Sequence, residues 1–232
     1  PAAYGTGEIW YNTTSNTFKT VALIGAWSSG NTLGTTRQQL AGAGIQTASL
    51  AFGGRVPGNA ATGVTEEYNG TSWSPSNALN TSRFSLAGAG TQTAGLAFGG
   101  TTSVADSEEY NGSSWTEGDN LNNGRTSLAG AGIQTASLAF GGQSPATGKT
   151  EQYDGTSWTE VADMSTARYP LAGTGTASAA LGAGGNLGPS NTNLTEVVTF
   201  GTTTADGAFV KADIKYIRVT NLDDSNSVNL SL

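Results

Sequence analysis

The chain has 232 residues, of which 12% are charged, and 10 basic against 17 acidic residues give a net charge of −7. No basic cluster occurs, which argues against binding to nucleic acid or anionic membranes, because phosphate contacts need grouped Lys or Arg. The chain contains neither Cys nor His, so disulfides and sites built on thiolate or imidazole are excluded. No apolar run reaches the length of a membrane-spanning helix, and we expect no membrane insertion.

The first segment alternates β-favouring residues around a polar centre. Residues 7 to 21 read GEIWYNTTSNTFKTV, a pattern typical of a β-hairpin. We therefore assign residues 1–26 to an N-terminal hairpin or connector.

A fifteen-residue string then organises the chain. LAGAGIQTASLAFGG stands at residues 40–54 and again, letter for letter, at 128–142, with close variants at 86–100 and 171–185. The four copies start at residues 40, 86, 128 and 171, so the period is 46, 42 or 43 residues. A period of this length predicts a repeat architecture, and Gly at 34 residues fits a turn-rich, all-β fold.

Each copy predicts four short strands. The first is LAGAG and the second is the SLAF or GLAF string before a Gly pair. The third strands end at Tyr68, Tyr110 and Tyr153, and the fourth begin at Trp73, Trp115 and Trp158. The Asn-Gly or Asp-Gly after each Tyr predicts a tight hairpin of type I′, since both turn positions need a positive φ.

A Trp-to-Arg spacing of ten residues links consecutive copies. Trp27 precedes Arg37 as Trp73 precedes Arg83, and the last copy has strand signals through Val198 without a following Trp. This predicts that the segment from Trp27 to Arg37 supplies the missing fourth strand and closes a ring of four blades. A ring of five, with residues 7–21 as an extra blade, is the alternative. The small Ala and Gly side chains of the inner strands favour the lower number, because few blades bring those strands close together.

The repeats resemble the kelch motif, whose units are blades of a β-propeller. The Gly pairs at 53–54, 99–100, 141–142 and 184–185 carry this resemblance, together with the repeated Tyr and Trp. It implies a small kelch-like propeller over residues 27–200. Residues 201–232 change character and predict a linker followed by a C-terminal β-hairpin segment, which continues or assembles with another subunit.

Chemical sites are few in this sequence. Copper radical oxidases, which are also propellers, need His and Cys, and sialidases need an Arg cluster. The four repeated arginines, Arg37, Arg83, Arg125 and Arg168, occupy equivalent positions and are interpreted as blade caps. The repeated pairs Glu66-Glu67 and Glu108-Glu109 are interpreted as structural, with one carboxylate facing solvent or meeting an Arg, against the alternative of a glycosidase acid/base pair.

The remaining acidic pair, Asp223-Asp224, matches no Ca²⁺ loop. We therefore predict a protein that is not an enzyme, with no catalytic residue, no cofactor and no metal. Ligand binding is expected, if anywhere, in the variable loops that follow the Gly pairs, at residues 55–64, 101–107, 143–149 and 186–193.

The ends of the chain resemble tail-fibre and other structural proteins of bacteriophages. GEIWYNTTSNTFKTV and GAWSSG at the N-terminus and KYIRVTNLDDSNSVNLSL at the C-terminus carry this resemblance, and the AGAG-type repeats are similar to virion proteins of marine phages. It implies a fibre or surface appendage of the virion that oligomerises with other subunits and contacts a host surface glycan. A secreted or cell-surface carbohydrate-binding propeller is the alternative, and an intracellular interaction scaffold is the third.

Overall fold

The computed structural model describes residues 9–20, 30–101, 104–143, 145–188 and 190–200. By its internal contacts the chain divides into two units, Pro1–Asn31 and Thr32–Leu232. Both are β-structures, and each is considered by itself below.

The first unit contains the predicted hairpin. Strands β1 (Ile9–Asn12) and β2 (Thr17–Thr20) pair antiparallel, with Ile9 opposite Thr20 and Asn12 opposite Thr17. Asn16 in the connecting turn has a φ of 51°, which Asn tolerates better than most residues. The described residues of this unit form two strands, so they do not make the four-stranded fifth blade of the alternative prediction.

The second unit is a β-propeller of four blades, each an antiparallel sheet whose strands follow chain order. Blade 1 contains β3 (Ala41–Ile45), β4 (Ala48–Phe52), β5 (Thr65–Tyr68) and β6 (Trp73–Ser76). Blade 2 contains β7 (Ala87–Thr91), β8 (Ala94–Phe98), β9 (Ser107–Tyr110) and β10 (Trp115–Glu117). Blade 3 contains β11 (Ala129–Ile133), β12 (Ala136–Phe140), β13 (Thr150–Tyr153) and β14 (Trp158–Val161). Blade 4 contains β15 (Ala172–Thr176), β16 (Ala179–Ala183) and β17 (Thr195–Thr199).

The predicted turn type after each Tyr is wrong, although the hairpins themselves are confirmed. Four residues, Asn69 to Ser72, connect β5 to β6, and Gly70 has a φ of 90° whereas Asn69 does not enter the positive region. The Asn69 side-chain oxygen instead accepts hydrogen bonds from the backbone N–H groups of Thr71 and Ser72, each at 2.9 Å. The Asn therefore serves as a side-chain cap of the turn and not as its left-handed corner.

The inner strands pack side by side in the order β3, β7, β11, β15. A Cβ on Gly88 would lie 3.0 Å from the carbonyl oxygen of Gly42 and 2.6 Å from the Phe52 ring. This close approach requires Gly, as the small inner-strand residues predict. The two ends of the series differ from its middle: β7 and β11 are largely buried, whereas all five residues of β15 and three of β3 are exposed.

A Trp from each middle blade inserts into the blade before it. The Trp115 ring packs on Phe52 with centroids 4.9 Å apart, and its indole N–H donates to the Thr65 hydroxyl at 2.9 Å. Trp158 repeats this arrangement on Phe98 and Ser107, at 5.0 Å and 3.0 Å. The apolar core of the unit therefore lies between blades, and its aromatic members are fixed by directional bonds.

A glutamine that recurs in the inner hairpin turns adds a second link between blades. The side-chain amide of Gln92 in blade 2 donates to the carbonyls of Ser49 and Tyr68 in blade 1, and Gln134 in blade 3 donates to those of Gly95 and Tyr110. These bonds tie the turn of one blade to strand carbonyls of the preceding blade.

Two predicted elements lie outside the described residues. One is the start of the strand from Trp27 to Arg37, so the closure of blade 4 by the N-terminal segment stays a prediction. The other is the C-terminal β segment at residues 201–232.

Candidate functional site

The variable loops leave one face of the propeller. Neighbouring inner strands meet at equivalent glycines, Gly42 with Gly88 and Gly88 with Gly130, so the blades share one orientation. The loops between the second and third strands, which follow the Gly pairs, therefore lie on the same side as the connections between blades. Isolated bridges join the two sets of loops, such as Gln38 with Arg55 and Thr126 with Gln143. We call this side the loop face.

The repeated arginines lie beneath the loop face, each bonded within the blade that it precedes. Arg125 donates to the carbonyl oxygens of Gly141 and Ala139, at 3.1 and 3.3 Å, and to that of Lys149. Its guanidinium forms an ion pair with Glu151 at 2.9 Å, and both side chains are buried. Burial lowers the pKa of Arg125, and the charge of Glu151 opposes this effect.

The same ion pair occurs in every blade. The N–O distances are 3.2 Å for Arg37–Glu66, 2.9 Å for Arg83–Glu108, 2.9 Å for Arg125–Glu151 and 3.3 Å for Arg168–Glu196. These arginines cap their blades, as the repeat positions predict. Because each guanidinium is occupied by its own blade, the four do not converge on a shared anion site of the kind that sialidases use.

The two carboxylates of each Glu-Glu pair have different structural roles. The first member, such as Glu108, meets the buried Arg and also accepts the backbone N–H groups of Asn80 and Thr81, at 2.6 and 3.2 Å. The second member accepts a hydrogen bond from the Tyr of the next blade: Glu67 from Tyr110, and Glu109 from Tyr153 at 2.6 Å.

This second role was not predicted from the sequence, which favoured solvent or an Arg as the partner. Burial, followed by the hydrogen bond to the carboxylate, raises the pKa of the Tyr110 and Tyr153 hydroxyls. Both tyrosines are therefore neutral donors at ordinary pH.

An open polar groove of about 450 Å³ lies on the loop face at blade 3. Asn122, Asn123, Thr147 and Lys149 contribute to its lining. Asn123 donates to Glu160 at 2.7 Å, and Lys149 forms an ion pair with the same carboxylate. The Asn123 amide beside an exposed ion pair offers a donor and acceptors, which suits the recognition of a hydroxyl-rich ligand.

The first residue after the Gly pair differs in chemistry from blade to blade. In blade 1, Arg55 begins the loop and donates to the carbonyl of Asn59, and its guanidinium lies 4.7 Å from the centroid of the Phe84 ring. Blade 2 has Thr101 there and blade 4 has Asn186. The loop face therefore carries a different set of side chains on each blade over a repeated support.

Over the described ranges, no three His, Cys, Asp or Glu residues lie close enough to hold a metal ion. Asp223 and Asp224 lie outside these ranges. In the same part of the chain, no helix is long and apolar enough to cross a membrane. Comparison with protein-family models and with curated proteins finds no match for this sequence.

Proposed function

We propose that this protein is a non-enzymatic structural component of a bacteriophage virion, a fibre or surface appendage whose kelch-like propeller presents its loop face to the host. The observation that carries this proposal is the separation of two sets of residues. The Arg–Glu and Trp–Phe contacts repeat from blade to blade, whereas the loops after the Gly pairs differ. A constant support with variable exposed loops is the arrangement of surfaces that bind other molecules.

The groove on blade 3 supports a host surface glycan as the ligand. Its Asn123 amide and the Lys149–Glu160 pair supply both donors and acceptors, and Pro145 and Ala146 add an apolar wall. Protein sites for sugars combine these features. The chain carries a net charge of −7, so we expect a neutral glycan to bind better than an anionic one.

The absence of catalysis is part of the proposal. The repeated carboxylates are bonded to Arg and Tyr side chains, and the repeated arginines to backbone carbonyls. These side chains are therefore engaged in contacts that hold the blades together. A hydrolytic acid/base pair needs carboxylates that face a substrate.

Two experiments test the proposal. An antibody raised against the chain should label purified bacteriophage particles in electron microscopy. A glycan array should show binding that is lost in Asn123→Ala and kept in Thr81→Ala, the matched position of blade 2. Glycan binding without particle labelling would favour the secreted carbohydrate-binding alternative, and absence of both would contradict the proposal.

A further inference from the structure

A cavity of about 140 Å³ lies at the last interface in the series of blades. Phe140 and Thr150 of blade 3 line one side, and Ala180 and Val198 of blade 4 line another. An enclosed apolar space of about 150 Å³ is large enough to bind benzene. The cavity therefore has room for an aromatic ring.

The two earlier interfaces show what fills this position. The repeat aligns Phe140 with Phe52 and Phe98, which carry the rings of Trp115 and Trp158 at 4.9 and 5.0 Å. Blade 4 has no strand after β17 among the described residues, so no Trp of its own reaches the Phe140 ring there.

The Thr150 hydroxyl in the cavity can accept a hydrogen bond from an indole N–H. Thr65 donates to the Gly63 carbonyl at 3.5 Å and accepts the indole N–H of Trp115. Thr150 makes the equivalent donation to the Gly148 carbonyl at 3.4 Å. Its oxygen therefore has accepting capacity on the cavity side, as that of Thr65 does.

The strand edge beside the cavity sets the register of an incoming chain. In blades 1 to 3 the Tyr that ends the third strand pairs with the Trp that begins the fourth, as Tyr153 does with Trp158. Val198 holds the equivalent position in β17, which pairs with β16 on its other edge. A strand added to β17 in this register would place a Trp opposite Val198 and direct its ring at Phe140.

We propose that this cavity is a socket for a tryptophan side chain, filled by Trp27 in the N-terminal segment of a second copy of the chain and not by that of the same chain. Trp27 precedes Arg37 by the same ten residues that separate Trp158 from Arg168, and it is the blade-type Trp that the described sheets do not contain.

The exposed ends of the blade series indicate a second copy as the donor. The inner strands β3 and β15 are the exposed ones in a single chain. Arg37 ties the donor segment to blade 1 through Glu66. Insertion of Trp27 would therefore bring blade 1 of one copy against blade 4 of another, in the order used within the chain. Such head-to-tail contacts build rings or filaments. This assembly does not depend on the proposed host ligand.

Three variants of the full chain test the proposal by light scattering after size-exclusion chromatography over a wide range of concentration. Trp27→Ala removes the donor, Val198→Asp places a charge where the indole would pack, and Trp10→Ala is the control. Wild type and Trp10→Ala should form oligomers, while Trp27→Ala and Val198→Asp should each be monomeric. An equimolar mixture of the two should form a dimer and nothing larger, because it contains one working donor and one working socket.

Circular dichroism of each variant checks that it folds. Thr150→Val provides a milder test, because it keeps the packing and removes the acceptor of the indole N–H, so assembly should weaken about ten-fold. A wild-type chain that stays monomeric at all concentrations, or oligomers that persist in Trp27→Ala or Val198→Asp, would overturn the proposal.

Discussion

The interfaces between the first three blades differ from the interface that blade 4 makes. Blades 2 and 3 each insert a Trp, a Tyr and a Gln into the blade before them. At the matching positions the described residues of blade 4 include no Trp, and they have Val198 in place of Tyr and Ala177 in place of Gln.

The partner residues change with these losses. Glu67 and Glu109 receive a Tyr from the next blade, and the equivalent residue of blade 3, which faces blade 4, is Gln152. The carboxylate therefore occurs where a Tyr hydroxyl meets it. The blades are therefore joined by matched pairs of side chains. Where the Tyr of a pair is absent, its carboxylate partner is absent as well.

Truncating Trp158 should have the largest effect, since it breaks a complete interface. Trp158→Ala removes a buried ring at a cost of about 3–5 kcal/mol and leaves the buried Ser107 hydroxyl without its indole donor. Trp73, which is half-exposed and packs on Tyr68 of its own blade, is the matched control and should cost far less. Urea unfolding gives both free energies, and equal losses would contradict the distinction between middle and end blades.

Breaking a buried ion pair in a middle blade should come next. Arg125→Met leaves the Glu151 carboxylate buried without its cation, which costs about 3–5 kcal/mol. Arg168→Met should cost less, because Glu196 is 23% exposed whereas Glu151 is 0% exposed, and water can solvate the remaining charge. The double variant Arg125→Met with Glu151→Gln should recover part of the loss in urea unfolding. A double variant no more stable than Arg125→Met would contradict this assignment.

The sequence was sufficient to predict the blades but not the side-chain contacts between them. Repeats and turn residues located the strands, and the third strands end at Tyr68, Tyr110 and Tyr153 as predicted. The partners of the Tyr hydroxyls and of Gln92 lie one blade away. A repeat pattern specifies equivalent positions, whereas these contacts depend on how successive sheets stack, which local spacing does not encode.

Removing one Tyr hydroxyl should have an intermediate effect. Tyr153→Phe loses a 2.6 Å hydrogen bond to Glu109, for which we expect about 1.5–3 kcal/mol in urea unfolding, because the acceptor is charged. Tyr68→Phe is the control at the free end of the series and should change the free energy of unfolding little. If Tyr68→Phe were as costly as Tyr153→Phe, the pairing of Tyr with the preceding blade would not be the source of the stability.

The same tyrosines predict an alkaline loss of stability. The pKa values of Tyr110 and Tyr153 are raised by burial and by their carboxylate partners from the ordinary value of 10.0. Below pH 10 both states keep the proton, so the contribution is complete. Above pH 10 the unfolded chain releases it first and stability falls. Urea unfolding at pH about 9 to 11 should show this decline in wild type and a smaller one in the Tyr110→Phe, Tyr153→Phe double variant. An unchanged decline would contradict the assignment.

The smallest effect is expected at the surface of blade 3. The Lys149–Glu160 pair is 39% and 51% exposed, so Lys149→Gln should change the free energy of unfolding only slightly, and the difference should disappear at high salt. A loss comparable to that of Arg125→Met would mean that burial does not separate the two kinds of ion pair.

Hydrogen exchange of the indole N–H groups, followed by NMR on the tryptophan side chains, tests the central claim most directly. The claim is that a buried Trp of each middle blade holds it to the preceding blade, because its indole N–H donates a hydrogen bond there. In the monomeric Trp27→Ala variant the account predicts strong protection for Trp115 and Trp158, which donate to Thr65 and Ser107. It predicts fast exchange for Trp73, which lies in blade 1 at the free end of the series. Similar exchange rates for all three indoles would contradict it.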